Sequence, residues 1–187
     1  MATALFVSEN MLKQSTAINM NVSTDLILPY IIQSQKLYLE PKLGTELYNE
    51  INDEIVAANV STNNKTLLEE YIAPMLVNWA FYHVIPFLRF RVENGNIYSK
   101  TSETGNALST EEAQHLREEI RNTAEYYTER LIEFIKNNTS LYPKYSTNSG
   151  ADISPDSNAY YNGMNLERPN QQGTKLTLRN FLTPDLT

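Results

Sequence analysis

The feature that most constrains this fold is an apolar stretch of 17 residues, Ile72–Leu88. Apart from Tyr82, its polar side chains are Asn78 and His83, so a helix formed here is hydrophobic on every face. Such a helix is stable when other elements cover it on all sides. The stretch therefore predicts a central helix with further helices packed around it.

A membrane span is the alternative interpretation of the same stretch. Its length reaches only the lower limit of about 17–25 residues that a span requires, and Pro74 and Pro86 interrupt it. Arg89 and Arg91 follow it directly. We therefore expect a buried helix that the prolines kink or divide, and no membrane anchoring.

Start signals place further helices along the chain. Two capping boxes, Thr66–Glu69 and Ser109–Glu112, precede the central helix and the longest helix, which is expected to run to about Asn137. Two more helices are predicted at residues 25–39 and 45–58 from their apolar stripes. Residues 96–108 are expected to form a loop or a small hairpin. The prediction is an all-α fold, a small helical bundle of about four main helices.

A Pro–Gly corner joins two of these helices within residues 28–51. The residue before a proline resists the α region, so Glu40–Pro41 is expected to end the first helix. Gly44 then turns the chain and Thr45 caps the second helix. The apolar stripes predict a shared core of Leu37, Leu47, Ile51, Ile72, Trp79, Phe87, Leu116, Ile120, Tyr127 and Leu131.

The composition changes after Asn138, where Asn, Ser, Pro and Tyr replace the aliphatic residues. We divide the chain into a helical domain with an extended N-terminal lead, residues 1–138, and an extended C-terminal arm, residues 139–187. The end of the arm, residues 174–182, alternates like a short strand that could add to the sheet edge of a neighbour. A tail without fixed structure is the alternative. The candidate protein-interface residues are Tyr142, Tyr145, Tyr160, Tyr161, Leu176, Leu178 and Phe181.

The charge is acidic and unevenly distributed. The net charge is −7, and residues 139–187 carry equal numbers of acidic and basic side chains, so the excess lies in residues 1–138. Tight nucleic-acid binding requires lysines and arginines that neutralise phosphates. The body is therefore expected to let DNA pass nearby without binding it.

Motifs for catalysis are missing from the sequence. There is no cysteine, no Gly-x-Ser-x-Gly elbow and no glycine-rich phosphate loop. His83 and His115 lack the spacing and the third ligand of a metal site, and carboxylate pairs such as Glu69–Glu70 point about 100° apart on a helix. We expect neither catalysis nor a cofactor nor a metal. The rival interpretation is an enzyme whose site is assembled across subunits.

The order of residues around the corner resembles the head–tail connector proteins of tailed bacteriophages, also called adaptor or head-completion proteins, especially those of phages that infect Bacteroidetes-type hosts. The resemblance covers roughly residues 5–138. Its most specific residues are Tyr30, Ile31, Gln35, Leu39, Pro41, Leu43, Gly44, Leu47, Tyr48 and Ile51.

The resemblance implies an α-helical structural virion protein that assembles head-to-tail into a ring beneath the portal. The ring, a dodecamer that matches the portal, would extend the DNA channel and dock the tail. The implied partners are other copies of the chain, the portal protein and tail or further connector proteins, while DNA passes through the lumen without specific binding. The implied location is the neck of the virion, assembled in the host cytoplasm. The alternative is a soluble helical module, regulatory or chaperone-like, that binds one protein partner.

Overall fold

The computed structural model describes residues 4–93, 96–99, 109–146 and 152–157. This part of the chain is a small bundle dominated by helices, which confirms the predicted all-α class. The helices are α1 (Glu9–Ser15), α2 (Thr24–Ser34), α3 (Glu40–Val56), α4 (Thr62–Thr66), α5 (Ala73–Arg89), α6 (Thr110–Asn137) and α7 (Pro143–Ser146). Two π-helical turns, π1 (Gln35–Leu39) and π2 (Leu67–Ile72), join α2 to α3 and α4 to α5.

A small hairpin follows α5 directly. Strand β1 (Phe90–Glu93) pairs antiparallel with β2 (Asn96–Ser99), so that Phe90 lies opposite Ser99. The hairpin therefore begins before the predicted range of residues 96–108. Residues 100–108, which include the expected turn at Gly105, lie outside the described part of the chain.

Helix α5 is the central helix that the apolar stretch predicts. It packs against α6, α2, α1 and both π turns, and Met75, Leu76, Trp79 and Val84 are fully or almost fully buried. The helical run Thr62–Leu88 meets the length and apolarity of a membrane span. The core helix of a soluble protein meets the same criteria, and much of this run is buried inside the bundle.

Each π turn ends two residues before a proline, Pro41 after π1 and Pro74 after π2. In an α-helix the ring of a proline clashes with the carbonyl four residues back, and the proline donates no hydrogen bond. A π turn is wider and closes its hydrogen bonds over five residues, as between the Glu40 N–H and the Gln35 carbonyl. The helix therefore continues through Pro41, and the prediction that Glu40–Pro41 ends it is wrong.

One of the two predicted capping boxes is present in the structure, and the other is not. Ser109 and Glu112 exchange both bonds of a capping box, which confirms the predicted start of α6. The box at Thr66–Glu69 is wrong, because the helix begins earlier, where the Ser61 side chain accepts from the Asn64 N–H. Thr66 lies inside the helix and donates to the Thr62 carbonyl.

The predicted core is confirmed for six of its ten side chains and wrong for three. Tyr127 packs against the core and is half-buried. Leu37 is 40% exposed because it lies in π1, which turns less per residue than an α-helix and buries Tyr38 and Leu39 instead. Phe87 is exposed beyond Pro86, and Leu116 precedes Ile120, where the buried stripe of α6 begins. The buried six are Leu47, Ile51, Ile72, Trp79, Ile120 and Leu131.

Candidate functional site

The candidate site is the corner, residues 41–45, where α3 is interrupted. Gly44 has φ 76° and ψ 159°, so it leaves the helical conformation and divides α3 into two parts. A break of this kind frees backbone groups that a continuous helix would pair. Here the freed groups include the Pro41 carbonyl and the Thr45 N–H, which a continuous α-helix would bond to each other.

A segment of the C-terminal arm, residues 152–157, binds these freed groups. We call it the latch. The Thr45 N–H donates to the Ile153 carbonyl at 3.0 Å, and the Asp156 N–H donates to the Pro41 carbonyl at 2.8 Å. The latch thus supplies, from more than 100 residues away, both partners of the hydrogen bond that the break removes. The Ile153 N–H also donates to Thr45 Oγ1 at 3.0 Å.

Shape and charge add to the backbone pairing. A Cβ placed on Gly44 would lie 2.8 Å from the ring carbons Cδ and Cγ of Pro155 and 3.2 Å from the Ile153 carbonyl oxygen, so the ring occupies the space that only a glycine leaves. Lys42 forms an ion pair with Asp156, and its side chain is 11% exposed. The corner therefore accommodates a proline followed by a carboxylate.

The N-terminal lead docks on the same helices. The buried side chain of Gln35 accepts from the Phe6 N–H and donates to the Ala4 carbonyl, both at 3.0 Å. The Ala4 N–H donates to Asn52 Oδ1 at 2.9 Å. The Phe6 ring stacks on Tyr48 with 5.0 Å between the ring centroids. Gln35 therefore pairs with extended backbone much as a neighbouring strand would.

The beginning of the C-terminal arm packs on the helical domain. Tyr142 is 2% exposed, and its hydroxyl donates to the Asn63 carbonyl at 2.9 Å. Tyr145 is half-buried against the core, and burial, followed by the nearby Asp156 carboxylate, raises the pKa of its phenol. Lys144 in α7 pairs with Glu50 in α3 at 3.1 Å.

Two of the candidate interface residues, Tyr142 and Tyr145, lie in the described part of the chain. The rings of Tyr142 and Tyr145 lie against the core of their own chain, which leaves Tyr142 almost no surface for a partner. The other five, Tyr160, Tyr161, Leu176, Leu178 and Phe181, lie outside the described residues. An interface role for this set stays a prediction.

Sequence reasoning missed the residues that bind the latch and the lead. Lys42, Ile153 and Asp156 look like ordinary surface or loop residues in the sequence. Gln35 gave no separate signal, since it lies in a polar run with Gln33, Ser34 and Lys36.

A second polar group lies between α5, α6 and π1. The Tyr38 hydroxyl and His83 Nε2 are 2.8 Å apart, and the Tyr38 ring stacks on Trp79. Trp79 Nε1 donates to Thr128 Oγ1 at 3.0 Å. Burial, followed by the positive charge of Arg117, lowers the pKa of His83. The bonds join the three elements, and these roles are structural.

Catalysis or metal binding requires several reactive side chains that converge on one place. Among the residues that the structure describes, no three histidine or carboxylate side chains come together as metal ligands. A shallow open depression on α6 has a volume of about 480 Å³, and it is lined by Glu111, Glu112, His115, Leu116 and Glu119. All five residues come from one helix, so they form a surface and not an enclosed site.

Comparison with known proteins assigns the chain to a family. The model of a family of unknown function, DUF6712, matches residues 39–155, which is more than half of the chain. The chain belongs to DUF6712. No curated protein and no solved structure matches it. The DUF6712 match begins at the end of π1 and ends at Pro155, so the corner and most of the latch lie within it.

Proposed function

We propose that this protein is a structural virion protein, a head–tail connector that forms a ring beneath the portal, extends the DNA channel and docks the tail. The observation that carries the proposal is the corner. Its broken helix is completed by an extended arm, and the same helices hold the N-terminal lead. The resemblance to connector proteins rests on these helices, and the proposed ring needs contacts between neighbouring copies, which extended segments can provide.

Ring assembly fits the physical properties of the chain. A head-to-tail interface joins two different patches and closes only when the rotation between copies completes a circle. Extended arms provide a large contact area from a small chain. The proposed partners are other copies of the chain, the portal protein and tail or further connector proteins.

The acidic body supports a role around DNA without binding to it. The excess of negative charge lies in residues 1–138, and repeating it around a ring would create a field that repels phosphates. The proposed location is the neck of the virion, after assembly in the host cytoplasm. The proposed role requires no catalysis and no cofactor.

The test is to image the purified chain by electron microscopy and weigh it by native mass spectrometry, alone and with the portal protein encoded in the same genome. We expect a closed ring, with a dodecamer on the portal. A chain that stays monomeric at all concentrations and ignores the portal would favour the alternative, a soluble regulatory or chaperone-like protein-binding module. A ring with its acidic side chains turned away from the lumen would contradict the proposed channel.

A further inference from the structure

We propose that the corner is a docking site for the latch of a second copy of this chain, so that neighbouring copies exchange latches when they assemble. The inference deepens the proposed function and rests on the assembly of copies that it requires. The occupant is specified as the residues Ile153–Asp156 of the neighbour.

The described contacts that hold the latch join two short stretches. Hydrogen bonds, an ion pair and the close approach of Pro155 to Gly44 link residues 41–45 to residues 153–156. The same latch from a second copy would make the same contacts, so the bound states within and between chains have equivalent local interactions. The two states differ in the effective concentration of the latch at the corner. Assembly of copies raises this concentration for the latch of a neighbour.

The corner is selective for this sequence. The bound segment must offer a carbonyl acceptor at residue 153 and an N–H donor at residue 156, three residues further along an extended chain. Between them a proline ring must face Gly44, and a carboxylate must meet Lys42. An empty corner would leave the Pro41 carbonyl and the Thr45 N–H without these partners, which is costly wherever water is excluded. A neighbour in an assembly of identical copies carries the same latch and therefore meets all of these conditions.

The length of the flanking chain sets a limit on the exchange. Residues 147–151 separate α7 from the latch, and a chain spans at most about 3.3–3.6 Å per residue, so only a copy in direct contact could receive the latch. Residues 158–187 follow the latch. A latch seated on a neighbour would bring this remainder of the arm, with Leu176, Leu178 and Phe181, to that neighbour.

Cross-linking tests the exchange directly, because the natural chain has no cysteine. One population carries Lys42→Cys and a second carries Asp156→Cys; they are unfolded, mixed, refolded and treated with a short bis-maleimide. Exchange predicts a covalent dimer of the two variants, which contact within one chain cannot produce. Adding Gly44→Val to the Lys42→Cys chain should abolish the product. Glu133→Cys, an exposed position on α6, replaces Asp156→Cys as the matched control.

A charge-reversal pair tests the same idea without a cross-linker. Lys42→Asp and Asp156→Lys each place like charges together within one chain, while a mixture of the two restores opposite charges between chains. Exchange predicts weaker assembly for each variant alone and recovery on mixing.

The outcomes separate the two proposals. Wild-type rings in which the mixed cysteine variants give no covalent dimer would overturn the exchange and leave the connector function intact. Covalent dimers from a protein that never forms a ring would support the exchange and overturn the ring. A chain that is monomeric under every condition, with no covalent dimer, would overturn both.

Discussion

At the scale of single residues, Gly44 meets two demands, a positive φ and a missing Cβ beside Pro155. We expect Gly44→Ala to lower the free energy of unfolding by about 1–3 kcal/mol, because alanine is strained in this conformation and its methyl group would displace the latch. Urea denaturation measures the change.

Ala58 offers a matched control for this substitution. It has a φ of 51° after α3, without being glycine. Ala58→Gly should leave stability unchanged or raise it by up to about 1 kcal/mol, since it relieves a left-handed alanine. Equal urea midpoints for Gly44→Ala and the wild type would contradict the role given to Gly44.

His83 gives the fold a dependence on pH. Its pKa in the folded chain lies below the ordinary value of 6.5 because burial, and then Arg117, disfavour the charged imidazole. Below about pH 6.5 the unfolded chain binds a proton more readily than the folded chain, so stability should fall as the pH drops towards the folded pKa. The melting temperature from pH 8 to 5 should fall less in His83→Gln than in the wild type. His115→Gln, on the exposed surface of α6, should keep the wild-type slope, and an unchanged slope in His83→Gln would count against this account.

At the scale of elements, α5 and α6 are joined by a buried hydrogen bond between Trp79 and Thr128. Thr128→Val keeps the shape but leaves the indole N–H without its acceptor, and we expect a loss of about 1–3 kcal/mol in unfolding free energy. The single tryptophan reports the transition by its fluorescence.

Thr123→Val is the control for Thr128→Val. Thr123 also donates to the carbonyl four residues back, in its case that of Glu119, but it is exposed. Its replacement should change stability by less than about 0.5 kcal/mol. Equal effects at both positions would show that the bond to Trp79 contributes little.

The helices were predictable because their signals are local. The capping box at Ser109 and the apolar run of α5 act over a few residues, and both predictions are confirmed. The π turns were not predictable in the same way. A proline in a helical pattern can end a helix, kink it or be accommodated by a wider turn, and packing of the surrounding helices decides among these outcomes.

At the scale of the whole molecule, both extended segments converge on one pair of helices. Gln35→Ala would leave the Ala4 carbonyl and the Phe6 N–H without their partners. We expect the lead to detach, with a loss of about 1–3 kcal/mol in stability and faster cleavage by chymotrypsin after Phe6. Gln33→Ala, on the exposed side of α2, should cleave at the wild-type rate. Slow cleavage in both variants would contradict the role of Gln35.

The candidate site was only partly predictable from the sequence. The corner could be found because Pro41 and Gly44 are strong local signals. Its partner could not, since Ile153 and Asp156 lie more than 100 residues away and become recognisable only when the fold brings them to the broken helix. Expectations about the arm drew on its tyrosines, whereas the described contacts at the corner use backbone atoms, a proline and an ion pair.

The π turns make chain length itself a determinant of this fold. Each holds one more residue between hydrogen-bonded partners than an α turn does. Removing one residue from Leu67–Ile72 would convert the π turn into an α turn, and the narrower turn would set Pro74 against a helical carbonyl. The gene should therefore tolerate substitutions at the exposed positions of these two turns, such as Leu37 and Glu69, but few single-codon deletions.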